Sequence, residues 1–193
     1  MAVASSGPLV PTLIIQNTPV RNRLTTLVRI IVAIPWLLVA ALWGIGALCV
    51  AIVAWFVLLF TGRWPAGWWN FVAGFVRFDA RATAFLLLLA DPLPPFDGAE
   101  HPEYPIQLQV APQQSYDRLK VGLRILYVIP AYLVAVVLGY LSYVIGFVSW
   151  VAILITGRQP DGLQAALAFC FSWSMRLMLL MTLLSETYAI NIA

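Results

Sequence analysis

The chain has 193 residues, 62% of them hydrophobic and only 10% charged, well short of the charged quarter usual in soluble domains. That balance excludes an ordinary water-soluble domain and places the chain in a membrane. Eleven Lys and Arg against eight Asp and Glu leave a formal charge of +3, too small an excess for a nucleic-acid partner. Cys49 and Cys170 fall at unrelated places in apolar runs and read as small hydrophobes rather than a disulfide.

Residues 1–22 form an N-terminal segment with Pro8, Pro11 and Pro19 and no basic residue ahead of its short apolar stretch. It lacks the form of a secretory signal and is expected to stay attached. Leu13-Ile14-Ile15-Gln16 and the alternating Tyr104 to Val110 have the period of half-buried strands. They are expected to pair as a small cytoplasmic β element on one membrane face, joined by Thr187 to Ile192; irregular loops are the competing reading.

From Ile30 to Phe60 no charged residue occurs. At 1.5 Å per residue this is about 46 Å of helix, too long for one straight crossing of a core about 30 Å thick and too short for two. Pro35 resolves the conflict if it opens the spanning helix, leaving Arg23 to Ile34 as an amphipathic lead-in along the interface. Arg118, Lys120 and Arg124 before Pro130 repeat the arrangement. First spans are expected at 35–60 and 130–155.

Each run stops at the same phrase, Thr61-Gly62-Arg63-Trp64-Pro65-Ala66-Gly67 and Thr156-Gly157-Arg158-Gln159-Pro160-Asp161-Gly162. Gly can end one helix in the left-handed conformation and Pro can start the next, so the phrase predicts the tip of a helical hairpin. Returning spans follow at 67–90 and 162–185. On a helical wheel Asn70, Gly74, Arg77 and Arg81 share one stripe and Asp79 lies almost opposite.

Residues 23–90 superpose on 118–185 without a gap, matching Arg29 to Arg124, Pro35 to Pro130, Gly44 to Gly139, Trp55 to Trp150 and Arg81 to Arg176. Duplication explains this better than composition does. The expected organisation is a first repeat at 23–96, a linker at 97–117 and a second repeat at 118–193. With two spans per unit the repeats should run parallel about an axis along the membrane normal. Arg21, Arg23, Arg29, Arg118, Lys120 and Arg124 then lie on one side against Arg63 and Arg158 on the other, which puts both termini in the cytoplasm.

Ile-Pro opening a long apolar helix, a Trp near its end, the Thr-Gly-Arg-x-Pro-x-Gly turn, Arg77 and Arg81 in the returning helix and Asp91-x-x-Pro-Pro-Phe96 together resemble the bacterial membrane family called domain of unknown function 4389. The resemblance covers most of the chain in two tandem copies. In the second, Ser172 replaces the first Arg and Glu186-Thr187-Tyr188 stands where Asp-x-x-Pro-Pro-Phe would be. The resemblance implies a bacterial integral membrane protein, expected as a multi-pass protein of the inner membrane, and supplies no activity.

His101 is the single histidine, in a Pro-rich connector, so no catalytic triad, metal-ligand group or cofactor motif is expected. Arg77, Arg81 and Arg176 are the sharpest anomaly, because an arginine at mid-membrane costs at least about 2.5 kcal/mol. Two readings stand: structural bonding to carbonyls, Asp79, Asn70 or lipid phosphates, or a basic site for an anionic headgroup or small anion. Arg63 and Arg158 anchor the turns beside an aromatic belt of Trp64, Trp68 and Trp69, or contact lipid phosphate. Arg23, Arg29, Arg118, Lys120 and Arg124 are expected at interfacial phosphates. Gly44, Gly46, Gly139 and Gly146 mark either close helix packing or simple tolerance of Gly in membrane helices.

The fold expected is all-α, with four transmembrane helices. The function expected is a non-enzymatic accessory or scaffold subunit packing with membrane lipids, with a larger membrane complex or with itself. A small anion or lipid transporter using the arginine stripe is the alternative.

Overall fold

The computed structural model describes residues 11–16, 21–110, 115–186 and 191–192. In chain order the elements are β1 (Thr12–Ile15), α1 (Arg23–Thr61), α2 (Ala66–Leu86), β2 (Ile106–Gln109), α3 (Arg118–Thr156), α4 (Asp161–Met181) and β3 (Asn191–Ile192). The protein is mostly helical, with a small sheet. Three helical stretches, Arg23–Thr61, Val128–Thr156 and Asp161–Met181, are long and apolar enough to cross a membrane. Helix α2, which carries Arg77, Asp79 and Arg81, is not among them, so the returning span expected at 67–90 is not established.

The hairpin tips form as their residues dictate. Gly62 and Gly157 adopt φ of 67° and 75°, and their N–H groups donate to Leu58 O and Ile153 O at 2.8 and 2.7 Å. Pro65 and Pro160 then cap the returning helices. At the other end Asn22 and Asp117 side chains accept from Leu24 N and Leu119 N, starting α1 and α3.

Pro35 and Pro130 lie inside unbroken helices of 39 residues each, so no separate interfacial lead-in precedes either long helix. A buried seam of Ala33, Ala40, Ala47, Ala51 and Ala54 runs straight through the proline in α1. Packing along that seam outweighs the single backbone bond that proline removes.

The larger correction concerns direction. Trp55 Nε1 donates to Val121 O at 3.0 Å, and its repeat mate Trp150 Nε1 donates to Thr26 O at 2.9 Å. Tyr116 N donates to Gly62 O at 2.8 Å, and Arg21 N to Gly157 O at 3.2 Å. Each long helix therefore begins where the other ends, and the two hairpins are antiparallel rather than parallel. The cause is the connector. It leaves α2, turns back along it past Arg81 and then Arg77, and delivers the chain to the far end before α3 starts.

Antiparallel hairpins also undo the expected charge asymmetry. Arg21, Arg23, Arg29 and Arg158 now sit at one end, and Arg63, Arg118, Lys120 and Arg124 at the other.

The strand pairing appears where alternation places it. Strand order is β2-β1-β3, with Leu13 opposite Leu108 in an antiparallel pair and β3 added in parallel. Of the C-terminal stretch expected to join, 187–190 lie outside the described residues. The sheet packs along the side of α2 instead of capping one end of a bundle: Leu13, Ile106, Leu108 and Val110 share a buried cluster with Trp69, Val72, Ala73 and Val76 of α2 and Leu167 and Phe171 of α4. Three layers result, with α1 and α3 outermost on one side, α2 and α4 in the middle, and the sheet and connector on the other.

Candidate functional site

Arg29 and Arg124 occupy equivalent places on the long helices and are only 2% and 3% exposed, so neither reaches the interfacial phosphates expected of it. Arg29 Nη1 donates to Phe85 O and to Ala90 O (2.8 Å), while Nη2 pairs with Asp91 at 2.6 Å. Arg124 repeats this with Leu180 O (2.8 Å) and Ser185 O (2.6 Å). Phe85 O and Leu180 O lie in the last turns of α2 and α4, where each also accepts from the N–H three residues on, and Ala90 O and Ser185 O follow in the turns beyond. The planar guanidinium bridges them in a way a lysine could not.

Each clamp grips a strained turn. Leu88 and Leu183, again repeat mates, adopt φ of 63° and 61°, a conformation that costs a non-glycine residue about 1–2 kcal/mol. Both leucines are buried, at 3% and 2% exposure, so each fills core space that a glycine would leave empty. The departure at Glu186 is smaller than the motif suggests: Asp117 N donates to Glu186 as Asn22 N does to Asp91.

Arg77 and Arg81 lie together on one face of α2, as their spacing implies, and both are engaged by the connector. Arg77 donates to Glu100 (2.6 Å), Val110 O (3.2 Å) and Leu108 O (3.4 Å), and Arg81 to Ala99 O (2.7 Å), Asp97 O and Asp97 Oδ1 (3.4 Å). Neither bonds Asn70 or Asp79. Gly98 makes the close approach possible, since a Cβ there would stand 2.5 Å from Gly74 Cα. The arginines, Glu100, His101 and β2 enclose a cavity of about 100 Å³.

His101 sits over this cavity with Nε2 at 2.8 Å from Asp97 Oδ1 and Nδ1 at 2.8 Å from Glu103. Hydrogen bonds to Asp97 and then Glu103 raise its pKa above the usual value near 6.5. The clasp is therefore fully formed below about pH 6.5 and is lost as pH rises through the raised value. Amide exchange across 97–103 is expected to be slower at pH 6 than at pH 8.5 after correction for intrinsic rates. His101→Gln should abolish the difference.

The remaining expected residues scatter. Arg176 is half-buried on α4, and among the described residues no hydrogen bond or ion pair joins it to Arg77 or Arg81. Arg63 and Arg158 are exposed at opposite ends. Arg23 donates to Ile155 O (3.1 Å) and Arg118 lies against Gly62, so each exposed cation meets the negative end of the other long helix. The aromatic belt does not form. Trp69 is buried and Trp64 Nε1 donates to Leu183 O at 3.0 Å, leaving Trp68 exposed. Gly44 and Gly46 do mark close packing, against Phe75 and Phe71, whereas Gly139 and Gly146 meet nothing within 4 Å. Cys49 is exposed and Cys170 buried, both free.

A feature without any polar signature completes the surface. Helix α1 shows Leu24, Ile31, Leu38, Ile45, Ile52 and Phe60 along its whole length, and α3 shows Leu126, Leu133, Val137, Tyr140, Phe147 and Ile155. Two adjoining apolar hollows of about 350 and 430 Å³ lie between these helices around Leu48 and Ala51, floored by Met181 of α4. Among the described residues no group of three or more His, Cys, Asp and Glu could hold a metal.

A family model described as a domain of unknown function, DUF4389, matches residues 23–97 and again 118–188. No curated protein and no solved structure matches the chain.

Proposed function

The chain belongs to the DUF4389 family, in two tandem copies, and on that premise we propose that it is a non-enzymatic membrane scaffold or accessory subunit of the bacterial inner membrane. The observation that carries this is the unbroken apolar surface of α1 and α3 with the hollows between them. Such an area far exceeds the few hundred Å² that soluble monomers leave open, and it marks a surface made to be covered. Acyl chains suit the hollows because, apart from Arg124, Ser174 and Thr182, their lining is apolar. The engagement of Arg77 and Arg81 by the connector supports fastening as their role and leaves the anion-path alternative without a favouring observation.

Native mass spectrometry of protein purified in mild detergent tests this. The wild type should retain phospholipid, and Leu48→Trp, which narrows both hollows from an exposed position on α1, should lose most of it with little change in melting temperature. Retention unaffected by the substitution, or no bound lipid at all, would count against the proposal.

A further inference from the structure

We infer that the protein lies side-on in a single leaflet, with α1 and α3 running along the membrane plane, their apolar faces among phospholipid acyl chains, and the connector and sheet facing water. This deepens the proposed function and rests on it at one point, that lipid covers α1 and α3. Length comes first. Each long helix has 39 residues, about 58 Å, and its apolar face extends from one end to the other, whereas a hydrocarbon core is about 30 Å thick. Upright helices would leave almost half of that face in headgroups and water.

The connector supplies an independent argument. Arg77, which pairs with Glu100, stands about 14 Å by rise per residue from the end of α2 at Leu86, near the helix midpoint. If the helices crossed the bilayer, the Glu100 side chain beside Arg77, 60% exposed, would sit near mid-membrane, and that of Asp97 beside Arg81, 53% exposed, within the hydrocarbon core. Non-helical backbone open to lipid is not tolerated there, and neither are exposed carboxylates. Side-on placement keeps this entire layer in water.

Charge points the same way. With antiparallel hairpins the exposed basic residues divide between the ends, Arg23 and Arg158 at one and Arg63, Arg118 and Lys120 at the other. A crossing protein would then lack the asymmetry that sets its orientation. A protein lying flat requires cations at both ends, where each meets lipid phosphate at the same depth.

Labels counted per molecule test the inference. A variant with Arg63→Cys and Arg158→Cys, freed of native thiols by Cys49→Ala and Cys170→Ala, is reconstituted into phosphatidylethanolamine–phosphatidylglycerol vesicles and treated outside with a membrane-impermeant maleimide. Side-on placement predicts molecules carrying two labels or none by intact mass, whichever way they insert. One label on every molecule would overturn it, because the two tips would lie on opposite faces. If that variant fails to fold, spin labels placed singly at Ile31, Leu42 and Phe60 replace it: equal depth along α1 is expected, and a profile passing through the bilayer centre contradicts the inference. Labels shielded from lipid-dissolved oxygen in a stable dimer would also overturn it, since a second copy would then cover the face. A catalytic or transport activity would defeat the scaffold proposal without altering any of these label patterns.

Discussion

Replacing Arg29 with leucine is expected to destabilise the folded protein by about 3–5 kcal/mol, the range seen when one partner of a buried ion pair is removed. Three acceptors lose a donor together: Phe85 O, Ala90 O and the Asp91 carboxylate. Two of them belong to the turn that holds Leu88 at positive φ, so the strain there would lose the contacts that enforce it. For a protein of this size the melting temperature should fall by about 10 °C or more in detergent. Arg29→Lys should recover only part of the loss, because an ammonium cannot serve all three acceptors in one plane. Arg124→Leu should act in the same direction through Leu180 and Ser185. A melting temperature unchanged in both variants would mean that the clamps do not hold the returning helices.

The second large effect lies on the opposite face and separates folding from membrane attachment. Leu38 is 61% exposed on α1 and packs against little of its own protein. Leu38→Arg should therefore change stability in detergent by no more than about 0.5 kcal/mol. In a bilayer the same charge costs about 2.5–3.5 kcal/mol if it lies deep among acyl chains. That corresponds to roughly a hundredfold weaker partition, measured by flotation with vesicles. Gln109→Arg, also at an exposed position but on the sheet, serves as the control and should leave partition unaltered. Equal behaviour of the two variants would show that the α1 face does not touch lipid.

Much of the local structure was legible because it depends on neighbours in sequence. Gly62 and Gly157 announce their turns by being the residues that tolerate positive φ, and alternation from Tyr104 to Val110 identifies a strand whose partner is Leu13 to Ile15. Duplication was visible in matched Arg, Pro, Gly and Trp, and its clearest structural trace is the pair of arginine clamps. Their role was not legible. An arginine six residues into an apolar helix looks interfacial, and only the fold brings Phe85 and Ala90 to Arg29.

The direction of the second hairpin was hidden for a related reason. Counting spans assumes that every apolar segment crosses and that a polar linker stays on one side. Here the linker returns along α2, held by Arg77 and Arg81 and admitted by Gly98, and these long-range contacts leave no periodicity to read. The same misplacement of α3 made the basic residues look one-sided. It also put the Arg63 and Arg158 tips on one membrane face, whereas the antiparallel fold sends them to opposite ends.

Pulsed electron resonance between spin labels at Thr25, on α1, and at two alternative positions on α3 measures hairpin direction most directly. Antiparallel hairpins place Thr25 beside Ile155, with a short distance of roughly 20 Å allowing for the label arms, and separate it from Leu119 by about 48 Å of helix rise. The opposite result, Thr25 close to Leu119 and far from Ile155, would restore parallel repeats and contradict the architecture on which both the scaffold and the side-on placement depend.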